Sequence, residues 1–163
     1  MKRFLYCFSV QGIALDEITE SPFVILHDVK HDITLPLQIG ASEASSLILA
    51  MECREKQEEE SGYDLAVELF RKHRFALRGL EVRRNKGGHH KGTLVYKKGI
   101  RTFRTEVNPS TGIVLCAKLG APIFFDKEAA DAADYDNRVL IELAGGSAEL
   151  LYLDPTHHPM QIM

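Results

Sequence analysis

The chain is poor in cysteine: Cys7, Cys53 and Cys116 are all it has, and no two of them form a CxxC pair. An odd number without close spacing gives neither a disulfide framework nor a structural zinc site. Each sits in or beside an apolar pattern, which reads as reduced, packed thiols in a cytoplasmic protein. Long apolar runs are missing too, so no membrane span is expected. Phe4 to Val10, after Met1-Lys2-Arg3, is too short for a secretory leader and flows into Gln11-Gly12 without a small-residue cleavage site. No serine sits in a Gly-x-Ser-x-Gly elbow and no Gly-rich phosphate loop occurs, which excludes those two catalytic frameworks.

What remains is ordinary for a globular domain: 163 residues, 45% hydrophobic and 26% charged. A chain of this length buries about 70% of its unfolded surface and needs no staples. Net charge is only −3, but it is unevenly placed. From Arg71 to Arg104 there are twelve Lys or Arg against the single acid Glu81, while 52–64 and the chain after Asp126 are acidic. Such segregation fits one positive surface that meets an anion such as nucleic acid, or a solvated hairpin paired with the acidic linker.

The centre of the pattern is Ile33 to Met51. Ile33, Leu35, Leu37 and Ile39 alternate with Thr34, Pro36 and Gln38, as a half-buried strand does. Ala44, Leu47, Ile48 and Met51 then form a helical stripe, with Ser42 expected as its cap and Glu43 in its first turn. The unit returns 68 positions later: Val107-Asn108-Pro109-Ser110-Thr111-Gly112 stands for Ile39 to Ala44, and Gly112, Leu115, Cys116 and Leu119 for the stripe.

Strands are expected at 4–15, 23–27, 75–83, 93–96, 101–107 and 121–125, with a loop over 85–92 and a helix opening at Ser61 with Asp64 at capping-box spacing. A helix over 110–119 stops at Gly120, and 128–136 is helical or irregular. The expected fold is α+β, with internally repeated three-strand-plus-helix units in one domain and mostly antiparallel strands. Residues 1–130 form that domain, with halves 1–52 and 63–125 joined by an acidic linker. Residues 131–163 form an extension with a hairpin of 139–143 and 150–153. Pro36 marks an edge strand at which a homo-oligomer could pair.

Four ordered segments resemble the bifunctional nuclease family: LPLQIGASEA (35–44), YDL (63–65), NPS (108–110) and LGAPIFF (119–125). The family's counterparts are LPIWIG-x-x-EA, RPLTHDL, RPSDAIALA and TGAPIYV. The resemblance implies a nuclease of broad specificity acting on DNA or RNA. The alternative is a catalytically depleted nucleic-acid-binding or assembly module of the same fold. By resemblance, Tyr63 stands where the family has histidine and Asp64 keeps the acid. Asn108 and Thr111 replace an arginine and an aspartate, while Glu43 and Ser110 are kept.

Glu43, Asp64 and Ser110 are therefore the candidate catalytic residues, and Arg83, Arg84, Arg101, Arg104, Asn108 and Thr111 the candidate substrate-binding ones. Paired carboxylates hold a hard divalent ion such as Mg2+; the chain keeps one of the pair at Glu43, with Asp64 as a second source. A metal-free alternative places phosphate at the two helix N-termini. His27-Asp28-Val29-Lys30-His31-Asp32 straddles a turn and reads as ordinary turn chemistry, and His89-His90 as part of an exposed loop.

Overall fold

The computed structural model describes residues 4–16, 18–52 and 62–134, together with the backbone of 148–153. Eight strands form one sheet: β1 (Tyr6–Asp16), β2 (Pro22–Asp28), β3 (Ile33–Gln38), β4 (Ala76–Arg84), β5 (His90–Lys98), β6 (Arg101–Val107), β7 (Ile123–Phe125) and β8 (Ala148–Leu153). Helices are α1 (Ala41–Met51), α2 (Gly62–Lys72), α3 (Pro109–Leu119) and α4 (127–134). The strand order is β3-β2-β1-β7-β4-β5-β6, and every pairing is antiparallel except β4 with β7. The architecture is α+β.

Two antiparallel meanders, β1-β2-β3 and β4-β5-β6, flank β7, and each is followed by a helix. Strand β1 is long enough to serve three partners. Its Tyr6–Phe8 stretch pairs with β7, while Gly12–Asp16 pairs with β8 on the same edge. The register of β1 on β2 slips between Val10 and Gly12, which marks a β-bulge there.

Alternation along the strands puts one face into the core. Phe8, Ile13, Val24, Leu26, Leu35, Leu80, Val82, Leu94, Ile123 and Phe125 are buried there, against Leu47, Ile113, Val114 and Cys116 of the helices. Helix α3 lies closest to the sheet because Gly112 permits it. A Cβ at Gly112 would stand 2.5 Å from Leu80 Cδ1, and one at Gly92 would stand 2.9 Å from the Val107 carbonyl oxygen. The family pattern has alanine at the position of Gly112, so this glycine matches the bulk of fully buried Leu80.

Several boundaries differ from expectation. Helix α1 begins at Ala41 with Gly40 as its N-cap and no side-chain cap, so Ser42 lies inside the first turn. Helix α3 begins one residue early: Asn108 caps it by accepting from the Ser110 backbone N–H, and Pro109 takes N1, where a missing N–H costs nothing. Gly120 closes it in the left-handed region at φ 69°. Strand β5 starts at His90, so the loop expected over 85–92 shrinks to a turn over 85–89. Of the expected tail hairpin, 139–143 lies outside the described residues, and β8 is strand paired to β1. Ser61 lies outside them as well.

Candidate functional site

Three helix N-termini meet at one point. Glu43 is the third residue of α1, Thr111 the third of α3, and Tyr63 the second of α2. The Tyr63 phenol donates to Glu43 Oε1 at 2.9 Å. Thr111 faces the same phenol closely enough to lower its pKa, so the two first-turn positions singled out by sequence both lie beside Tyr63. Burial raises the Tyr63 pKa, and its bond to the Glu43 carboxylate raises it further, against the opposing pull of Thr111. The other carboxylate oxygen of Glu43 folds back over its own N-cap, 2.4 Å from where a Cβ on Gly40 would stand. A side chain at position 40 would displace the Glu43 carboxylate from that place.

Beside this cluster is a cavity of about 430 Å³, lined by Leu37 to Gly40 on one side and by Asn108, Pro109 and Ser110 on the other, with His90 between. It therefore opens between the starts of α1 and α3, where unpaired backbone N–H groups and the helix dipoles favour an anion. The Ser110 hydroxyl donates to Asn108 Oδ1 at 3.0 Å. His90 Nε2 bonds to the Ala129 carbonyl oxygen at 2.9 Å, which fixes the ring and makes Nε2 the donor.

A larger cavity, about 1220 Å³, lies at the other end of the helices, among the ends of α1 and α3, Cys7 and Phe124. Helix C-termini repel anions, so size does not make it the phosphate site. Burial and the Asp28 charge raise the Cys7 thiol pKa, and burial pushes that of Cys116 up to about 12, so neither is an activated nucleophile.

The remaining candidates are dispersed. Asp64, one residue past Tyr63, accepts from Lys118 Nζ at 3.1 Å at the far end of α3. Arg84 is tied to the Gly88 carbonyl oxygen at 3.1 Å. Arg83 and Arg104 share Glu81 on the sheet face that points away from the helices, and Arg101 lies exposed at the start of β6. At the β2–β3 turn, His31 bonds to Asp28 at 3.0 Å and His27 to Asp32 at 3.2 Å, two separate pairs that brace the turn.

A divalent metal needs several oxygen or nitrogen ligands around one point. Among the described residues no group of three or more His, Cys, Asp or Glu side chains offers that, and Glu43 and Asp64 are each engaged elsewhere. The described side chains do not fit a resident metal. Among the same residues no helix is long and apolar enough to cross a membrane.

Sequence reasoning missed two residues. Tyr63 was legible only as a lost histidine, although its place just ahead of Asp64 at a helix start carried the signal. His90 was read as loop because Gly87 and Gly88 obscure the start of β5. No match to the chain is found among curated proteins. A model of the bifunctional nuclease domain matches residues 24–138, which is 115 of the 163, and the chain belongs to that family.

Proposed function

We propose that the protein is a nuclease acting on DNA or RNA with broad specificity, and that its site is the junction of three helix N-termini at Glu43, Tyr63 and Thr111. The observation that carries the reading is the hydrogen bond that ties Glu43 of α1 to Tyr63 of α2, beside a cavity that opens between the starts of α1 and α3. A phosphodiester would take the cavity, held by the first-turn N–H groups of α1 and α3, by Asn108 and by Ser110. Glu43 would accept the proton of an attacking water as its oxygen bonds to phosphorus and the P–O bond to the leaving sugar breaks. Tyr63 would hold the carboxylate in place. Asp64 is assigned to structure, through Lys118.

The family pattern has histidine and aspartate where this chain has Tyr63 and Thr111. Both replacements fall at the same junction of helix starts, so the site loses a carboxylate and an imidazole together. That paired loss, with Asp64 neutralised by Lys118, favours a second reading: a nucleic-acid-binding module whose cleavage is depleted.

Digestion of end-labelled single- and double-stranded DNA and RNA separates the two. Cleavage that falls by about 10²–10⁴ in Glu43→Gln supports the first reading, the range of a lost general base. Binding without cleavage supports the second. Cleavage unchanged in Glu43→Gln overturns the assignment of this site.

A further inference from the structure

The three-strand meander 76–107 carries nine Lys or Arg against Glu81 and Glu106, a net charge of +7, while the rest of the chain carries −10. Its register sorts these charges by face. Leu80, Leu94 and Thr105 share one row and Val82, Gly92 and Val107 another, all turned toward α3. The alternate positions, Arg83 with Lys91, Glu81 with Thr93 and Glu106, Val95 with Arg104, and Lys97 with Thr102, are turned away from the helices.

That open face is not neutralised by its own acids. Glu81 is shared between Arg83 and Arg104, and Glu106 lies 3.7 Å from Lys91. The side chains of Arg83, Lys91 and Arg104 are still 45%, 55% and 52% exposed. Glu81, only 19% exposed, thus holds two guanidiniums in fixed places while each keeps donors for an outside acceptor. At one margin Arg83 lies 4.5 Å over the Phe4 ring, and Phe4 is 6.4 Å from Phe124, so aromatic faces adjoin the cations.

We propose that the open face of β4-β5-β6 binds single-stranded nucleic acid, with Arg83, Lys91, Lys97 and Arg104 on phosphates and the Phe4–Phe124 pair available for a base to stack on. The combination of a cationic track with stacking aromatics suits a strand whose bases are unpaired. The track follows β5 from Lys97 to Lys91, a run of about 20 Å at ~3.3 Å per residue. It ends one residue from His90, whose ring lies on the opposite face of the sheet and lines the cavity between α1 and α3. The inference rests on the nucleic-acid reading above but not on cleavage.

The test is anisotropy of a labelled oligothymidylate and oligouridylate titrated with the full chain over a range of salt. Four phosphate contacts give a log–log salt slope of about −2.8 for single strands, and Lys91→Gln with Lys97→Gln reduces its magnitude by about 1.4. Binding is read without any cleavage step, so a failed cleavage assay leaves this result standing. The proposal is overturned if the double variant keeps both the affinity and the slope. It is equally overturned if a poly-glutamate peptide competes as well as the oligonucleotide, which would assign the face to an acidic protein.

Discussion

Tyr63 is the residue on which the site depends, because its phenol ties the start of α2 to Glu43 of α1. It gives its proton to the Glu43 carboxylate, an arrangement that exists only while the phenol is neutral. Ionisation would place a second negative charge against Glu43 in a half-buried setting. Its pKa is raised for that reason, so the folded state holds the phenol proton more tightly than the unfolded chain does. By linkage, the stabilisation is complete below about pH 10 and is lost as pH rises through the higher folded value. Urea unfolding between pH 8 and 11.5 is expected to show a loss of stability in the native protein that is shallower in Tyr63→Phe. The difference between the two curves isolates this tyrosine from the other four. Parallel curves would mean that the Tyr63–Glu43 bond contributes nothing.

At the scale of the element, the two strand-helix junctions look alike in sequence but are capped by different means. Helix α3 has a side-chain cap at Asn108 with Pro109 behind it, whereas α1 has bare Gly40 with Glu43 folded over it. Asn108→Ala should therefore cost about 1 kcal/mol, the usual worth of an N-cap. Ser42→Ala should stay within about 0.5 kcal/mol, as an exposed first-turn change does. Chemical denaturation of both variants checks this, and equal losses would restore Ser42 as a cap. The contrast marks the limit of reading the chain by pattern. Alternation at 33–39, the Gly120 stop and the 101–107 strand were legible because each is a local rule of period or backbone conformation. So was the place of Glu43 in the first turn of α1, which the helical stripe indicated. The contact of Glu43 with Tyr63 was not, since it depends on how α2 docks after the linker. Asp64 was misleading for the same reason: adjacent residues at a helix start diverge by about 100°, so its partner is Lys118 and not Glu43.

Over the whole molecule, the order β3-β2-β1-β7-β4-β5-β6 makes two meanders share one sheet through a strand of three residues. Strand β7 hydrogen-bonds to β1 on one side and β4 on the other, at Phe8–Ile123 and Leu80–Ile123 among other pairs. Its residues Ile123 and Phe125 are buried on the same face as Leu80 and Val82, and Phe125 meets Phe8 edge-on at 5.2 Å. Helix α1 packs on α3 across the same divide. Neither meander can therefore lose its structure without exposing core side chains of the other and leaving β7 without a partner. Unfolding is accordingly expected as one cooperative transition, with far-ultraviolet circular dichroism and tyrosine fluorescence giving coincident midpoints in urea. Two separated transitions would show that the halves are independent units tied by a linker. The site would not survive such independence, because Glu43 belongs to the first meander's helix and Thr111 to the second's, and only their common sheet holds the two helix starts beside Tyr63.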